Sequence, residues 1–208
     1  MFKTNLYSAQ LVTAIVACLL LVPVGHSAGD AAAGAQKAAT CAACHGMDGN
    51  SVNPQWPSIA GQNANYIVGT LQAFKDGSRS DVLMNAQAMI LNDADMANVA
   101  AHFASKKSVQ RTASPKLAAA GERLYRGGDK ETDVSACIAC HGPSGRGNAP
   151  AGYPSLTGQH AVYTTKQLND YKNGTRTSDG DTQVMRNITA RLSQDQINAV
   201  AAYIQGLR

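Results

Sequence analysis

The sequence lacks the patterns that are typical of several common classes of protein. No stretch shows the regular alternation of apolar and polar residues that a half-buried β-strand requires, so the pattern predicts an all-α fold. The basic residues form no stripe of the kind that binds nucleic acid, and we expect no nucleic-acid partner. The long apolar run from Leu11 to Val24 is shorter than the ~20 residues that a membrane-spanning helix needs.

This apolar run has the features of a secretory signal. Lys3 precedes it, and small residues follow it at Gly25, Ser27 and Ala28. Such a charged, then apolar, then small-residue order is typical of a cleaved export signal. We predict that residues 1–28 are a signal peptide, with an uncleaved membrane anchor as the alternative. The remaining chain is long enough for two small domains.

Four of the five cysteines lie in two copies of one short motif. The copies are Cys41-Ala-Ala-Cys44-His45 and Cys137-Ile-Ala-Cys140-His141, and each is followed by glycine. Two cysteines separated by two residues and followed at once by histidine form the attachment site of a c-type haem. On a helical turn all three side chains share one face, so both thiols reach the porphyrin while the imidazole reaches its iron. We predict two covalent haems, with His45 and His141 as proximal ligands.

Two other kinds of site use a Cys-x-x-Cys pair. The pairs could be redox dithiols, or together they could form one four-cysteine zinc centre. Neither requires a histidine after both pairs, which favours haem. The fifth cysteine, Cys18, lies in the predicted signal, so none is left for a disulfide. Because covalent haem attachment agrees with export, we expect a bacterial periplasmic location.

The chain contains an internal repeat. Pro57-Ser-Ile-Ala-Gly61-Gln62 is matched by Pro154-Ser-Leu-Thr-Gly158-Gln159, and the same offset pairs Tyr66 with Tyr163 and Arg79 with Arg176. The repeat predicts two copies of one haem domain, residues 29–110 and 111–208, joined by a polar linker over residues 106–115. Each copy is predicted to contain three helices and loops. One leads into the motif, from about Ala31 or from the cap Ser114 and the first helical residue Pro115. One follows Gly61 or Gly158, and one begins at Asn92 or Ser193. Ser193 and Gln196 form a capping-box pattern.

The second face of each haem needs its own explanation. Met84 and Met185 occupy equivalent positions, each expected in a loop seven residues before the leucine that precedes a final helix. Because thioether sulfur is a known axial ligand, we predict that these two methionines are the sixth ligands. Met89 and Met96 have no methionine counterpart, so we expect them in the core.

The remaining candidates are two histidines and the repeated tyrosines and arginines. His102 lies on a final helix, where we expect partial exposure, and a loop role or a haem-propionate contact is expected of His160. The repeated tyrosines, Tyr66 and Tyr163, and arginines, Arg79 and Arg176, could bond propionates, while core and surface roles stay open.

Together these features resemble the cytochrome c4 family of bacterial di-haem electron carriers. The resemblance rests on both haem motifs, the Pro-Ser-x-x-Gly-Gln segment after each, and the methionine before each final helix. It implies two tandem class I cytochrome c domains, related by a pseudo-twofold axis, with haems facing each other across the interface. It also implies a periplasmic carrier from a quinol-oxidising bc complex toward a terminal oxidase, not an enzyme. The sequence departs from the repeat by an insertion of four residues, which falls somewhere within Ser178–Gln183, before Met185.

Two rival functions stay open. The chain could be the di-haem subunit of a flavocytochrome dehydrogenase, which a flavoprotein partner would distinguish. It could also be a di-haem peroxidase or thiosulfate dehydrogenase, but the former needs an open haem face and the latter a cysteine ligand. In each of these interpretations the partners are redox proteins, and transient association with membrane complexes stays open.

Overall fold

The computed structural model describes residues 29–208, so the predicted signal peptide and Cys18 lie outside the described residues. Within that range the fold is helical, and β-structure is limited to isolated bridges. The all-α prediction is therefore confirmed. None of the helices between residues 29 and 208 is long and apolar enough to cross a membrane.

Each half of the described chain contains five helices. Those of the first half are α1 Ala31–Lys37, α2 Ala42–His45, α3 Ala64–Asp76, α4 Val82–Met89 and α5 Asp93–Ala104. Those of the second are α6 Pro115–Gly127, α7 Ile138–His141, α8 Ala161–Lys172, α9 Val184–Ala190 and α10 Gln194–Gln205. The helices correspond one to one, which agrees with the internal repeat.

The prediction of three helices in each half was wrong, because it missed two short helices. One is the single turn made by the haem motif, α2 or α7, and the other carries the predicted methionine, α4 or α9. Met84 and Met185 therefore lie on helices, not in loops. In the first half Asp81 supplies the reason, since its carboxylate accepts hydrogen bonds from the backbone N–H groups of Leu83 and Met84.

The predicted starts of the longer helices are confirmed. Pro115 is the first residue of α6, and Ser114 stands at the capping position without a side-chain hydrogen bond. The capping box of Ser193 and Gln196 opens α10. The final helix of the first half uses the same device with Asn92.

In each half the first and last helices cross at a glycine. A Cβ atom added at Gly34 of α1 would lie 2.0 Å from the carbonyl oxygen of Asn98 on α5. One added at Gly121 of α6 would lie 2.0 Å from the carbonyl oxygen of Ala199 on α10. Since no side chain fits such a gap, glycine lets the two backbones touch.

The described residues form two separate apolar cores. The first includes Leu71, Met96 and Phe103, and the second includes Tyr125 and Ile197. Met96 is fully buried, as predicted.

No helix of one half packs on a helix of the other within residues 29–208, so loops and side chains join the halves.

The core position predicted for Met89 was wrong: this side chain is 61% exposed, because it lies on the outer side of the short α4 helix.

Candidate haem-binding sites

Each haem motif forms one helical turn that ends at its histidine. Cys41 and Cys137 stand at the starts of α2 and α7, and the histidines are the last helical residues. The chain then turns sharply at Gly46, whose φ is +83°, and a Cβ atom there would lie 2.5 Å from the carbonyl oxygen of Asn50. The motif thus places both cysteines and the histidine on one turn, as haem attachment requires.

The two histidines are buried and fixed in the same way. Nδ1 of His45 lies 2.8 Å from the carbonyl oxygen of Pro57, and Nδ1 of His141 lies 3.0 Å from that of Pro154. A carbonyl only accepts, so Nδ1 carries the proton and Nε2 keeps its lone pair. Desolvation lowers the pKa of both imidazoles, which favours the neutral form. A neutral imidazole whose other nitrogen bonds a backbone carbonyl is the usual state of a histidine metal ligand.

The thiols do not fit the two alternatives to haem. Desolvation raises the pKa of Cys41, and it raises the pKa of Cys137 to about 11. A redox dithiol needs the opposite shift, because the thiolate is the reactive form. No cluster of three or more potential metal ligands occurs within residues 29–208, so the two pairs do not meet in a zinc centre.

The predicted methionine ligands lie at equivalent places on α4 and α9. Met84 is partly buried and packs against the first core together with Cys41. Met185 follows the four-residue insertion, which an ion pair closes: Asp179, nearly buried, lies 2.7 Å from Nε of Arg186. The Asp179 carboxylate also accepts from the backbone N–H of Arg186, which ties the loop to the start of α9. The insertion is therefore an ordered loop that leads directly into the Met185 helix.

Two glutamines of the repeated Pro-Ser-x-x-Gly-Gln segment join the halves reciprocally. Gln62 accepts from the backbone N–H of Ser155 at 2.7 Å and donates to its carbonyl oxygen at 2.9 Å. Gln159 makes the same pair of bonds with Ser58, at 2.9 and 2.8 Å. Contacts that repeat with the partners exchanged are the mark of a twofold relation. The two halves are thus related by the expected pseudo-twofold axis.

Arginines and tyrosines cross the same interface. Arg79 donates to the hydroxyl of Tyr163 at 2.6 Å, and Arg176 donates to that of Tyr66 at 2.9 Å. Both guanidinium groups are buried, and neither pairs with a carboxylate within the described chain. Burial alone would raise the pKa of Tyr66, but Arg176 and Arg79 lower it to about 8. This uncompensated positive charge suits an anionic group, such as the carboxylates of a haem.

The segment predicted as a linker also binds both halves. Arg111 donates to the carbonyl oxygens of Ser51, at 2.7 Å, and Gly158, at 2.8 Å. His160 stands at the start of α8, and its Nε2 lies 2.8 Å from the same Ser51 carbonyl. His160 therefore bridges the halves from a helix terminus.

The exposure expected of His102 was wrong: this residue is buried against the first helix, with Nδ1 3.3 Å from the carbonyl oxygen of Ala31.

Comparison with known proteins decides the family. The cytochrome c family profile matches residues 31–107 and again 118–208. Cytochrome c4 of Pseudomonas aeruginosa is 48% identical over 198 residues, which cover 95% of this chain and 98% of that protein. The crystal structure of reduced recombinant cytochrome c4 from Pseudomonas stutzeri superposes with a TM-score of 0.85 at 47% identity, covering 87% of this chain and 100% of that one. The chain belongs to the cytochrome c4 family.

As a cytochrome c4, the chain is a di-haem electron-transfer protein with two covalently attached c-type haems. The fold prediction of tandem class I cytochrome c domains is confirmed. A more distant relative is a thiosulfate dehydrogenase electron acceptor of Stutzerimonas stutzeri, 38% identical over 175 residues, which cover 82% of this chain and 80% of that protein. Redox proteins are accordingly the general class of partner.

Sequence reasoning missed the role of the repeated glutamines. Gln62 and Gln159 were recognised only as markers of the repeat. Their partners, Ser155 and Ser58, lie in the same repeated segment, so the repeat contained both sides of the contact. The signal that could have revealed it is the combination of an internal repeat with an expected twofold axis.

Proposed function

We propose that each half of this cytochrome c4 holds one low-spin haem between a histidine and a methionine. Cys41 and Cys44 would attach the first haem, and His45 and Met84 would ligate its iron. The second is bound through the equivalent residues of the other half. These are Cys137, Cys140, His141 and Met185. The observation that carries the proposal is the buried histidine whose Nδ1 is tied to a proline carbonyl, leaving Nε2 for iron in both halves.

The interface arginines fit the propionate ends of the haems. Arg79 and Arg176 are buried without carboxylate partners, and each guanidinium also lies over an aromatic ring, at 4.7 Å from Phe74 and 4.4 Å from Tyr171. These stacked positions fix the two cations near the domain boundary. We therefore assign the propionates to this boundary, with the haems facing each other across it.

Each bound haem iron would supply one-electron exchange between its ferric and ferrous states. The chain's own residues would hold the ligating side chains in place. His45 is held by the Pro57 carbonyl, and Met84 by the helix that Asp81 caps. Neutral imidazole and thioether ligands leave no site for a substrate on the iron, so the proposed role is a carrier and not an enzyme.

The proposed route runs from a quinol-oxidising bc complex to a terminal oxidase in the periplasm. Export would follow from the predicted signal over residues 1–28. A second candidate donor is a thiosulfate-oxidising enzyme, because the acceptor protein of such an enzyme is 38% identical to this chain. Stopped-flow oxidation and reduction of the purified carrier by oxidase-containing membranes, bc complex and thiosulfate dehydrogenase would rank the partners. Equal inertness toward bc complex and oxidase would contradict the proposed route.

Methionine substitutions test the axial ligands. Met185→Ala should open the second haem to carbon monoxide and leave the first low-spin, while Met84→Ala should do the reverse. Met89→Ala is the matched control, because Met89 lies on the same helix as Met84 but is exposed. The readouts are the near-infrared sulfur-to-iron band and the visible spectrum under carbon monoxide. A second haem that keeps its sulfur band in Met185→Ala would remove Met185 from the ligand set.

A further inference from the structure

One peptide group in each half lies between a proximal histidine and a glutamine of the opposite half. The carbonyl of Pro57 accepts from Nδ1 of His45 at 2.8 Å. The N–H of the same peptide bond belongs to Ser58 and donates to Oε1 of Gln159 at 2.9 Å. The first histidine is thus connected, through a single peptide group, to a side chain of the second half.

The second half has the same chain of hydrogen bonds in the opposite direction. Nδ1 of His141 lies 3.0 Å from the carbonyl oxygen of Pro154, and the N–H of that peptide, on Ser155, donates to Oε1 of Gln62 at 2.7 Å. Each glutamine is also fixed by its Nε2 donor, which bonds the next carbonyl of the same loop. Gln62 and Gln159 are both buried, so water does not compete for these bonds.

Hydrogen bonds in series strengthen one another inside a protein. A peptide N–H that donates to a good acceptor polarises its own carbonyl, which then accepts more strongly from the histidine. A stronger bond at Nδ1 makes the imidazole a more basic ligand and stabilises ferric iron. When a haem is bound, the glutamine would therefore act on the iron of the opposite domain through the histidine, without touching that iron.

We propose that Gln62 and Gln159 are positioning residues that tune the proximal histidine, and hence the reduction potential, of the opposite domain. Gln159 tunes the reduction potential of the first haem, and Gln62 tunes that of the second. The two potentials therefore depend on the docking of the halves. The inference rests on the proposed assignment of His45 and His141 as axial ligands.

The test replaces each glutamine by methionine, which has similar length and volume but lacks both hydrogen-bonding groups. Gln159→Met should raise the potential of the first haem, and Gln62→Met that of the second. We expect about a two- to fivefold shift in the ferric–ferrous equilibrium constant, or about 20 to 40 mV at 59 mV per tenfold change. The haem methyl resonances of each domain, followed during a redox titration by NMR, report the two potentials separately.

A matched control separates tuning from loss of stability. Gln205 also bridges two backbone groups, donating to the Thr112 carbonyl and accepting from the Ala161 N–H, and neither group bonds a proximal histidine. Gln205→Met should lower stability and leave both potentials in place. Gln159→Glu, which keeps the acceptor for the Ser58 N–H, should not raise the potential of the first haem.

The decisive observation is whether each substitution shifts the reduction potential of the haem in the opposite domain. A shift confined to the domain that carries the substitution, an equal shift of both haems, or no shift would overturn the proposal. So would a rise in Gln159→Glu equal to that in Gln159→Met. Failure of the histidine assignment is recognised separately, because the unsubstituted protein would then lack low-spin haem spectra.

Discussion

Replacing Gly121 by alanine would place a methyl group where two helix backbones touch. The new Cβ would lie 2.0 Å from the Ala199 carbonyl oxygen and 2.7 Å from Cβ of Tyr203, while ordinary contacts begin near 3.4 Å. The α6 and α10 helices must therefore separate by about 1.4 Å. They cannot relieve the contact by rotating a side chain, since the nearest obstacle is backbone.

The expected loss of stability follows from two opposing terms. Overpacking of a core costs about 1–3 kcal/mol, and a backbone obstacle on a long helix pair puts this case near the upper value. Alanine in place of glycine inside a helix returns about 1 kcal/mol. The net destabilisation is about 2 kcal/mol. If the second half unfolds as a domain of about 100 residues, this corresponds to a fall in its Tm of about 8–16 °C.

Thermal unfolding of the ferric protein, followed by far-ultraviolet circular dichroism, measures the effect. Gly127→Ala is the matched control, because Gly127 ends the same helix and a Cβ added there would meet no atom within 4 Å. That substitution should raise Tm by a few degrees, since it gains helix propensity without a clash. If Gly121→Ala raised Tm as Gly127→Ala does, the close crossing of α6 and α10 would be refuted.

Three further variants probe other parts of the molecule. Replacing Cys41 and Cys44 together by alanine should give a one-haem product, so two haems found by mass spectrometry would contradict the first attachment site. Tyr66→Phe removes a bond to the buried Arg176 and should cost about 1.5–3 kcal/mol in denaturant unfolding; an unchanged midpoint would show that the bond contributes nothing. Asp179→Asn should weaken the ion pair that closes the insertion, so the second haem should lose its sulfur-to-iron band at lower denaturant than the first. Loss of both bands together would refute a local effect.

Signals carried by a short stretch of chain could be predicted from the sequence. The two haem motifs, the capping box at Ser193 and the start of α6 at Pro115 each depend on neighbouring residues, and the structure has them as predicted. The α4 and α9 helices were missed because a segment of seven or eight residues is too short for a clear helical period. The prediction of a core position for Met89 was wrong for the same reason. Without knowing that this segment is a helix, one cannot tell which of its side chains face the solvent.

Contacts between distant segments could not be predicted in this way. Gly34 and Gly121 were not singled out, because the need for glycine appears only when two helices cross. The cross-domain bond between Arg79 and Tyr163 also depends on the docking of the halves. An internal repeat identifies equivalent residues, but it does not say whether each one contacts its own half or the opposite one. That choice is made by the pseudo-twofold geometry.

The absence of helix packing between the halves, in the part of the chain that the structure describes, implies an order of assembly. The halves meet through the loops that hold the proximal histidines, such as residues 57–62, and through single side chains such as that of Tyr163, but not through helices packed on one another. A loop that has not closed over its haem offers no ordered peptide group to the opposite glutamine. We therefore expect cofactor insertion to precede docking, so that the joined form is a product of complete maturation and a half-loaded chain stays open.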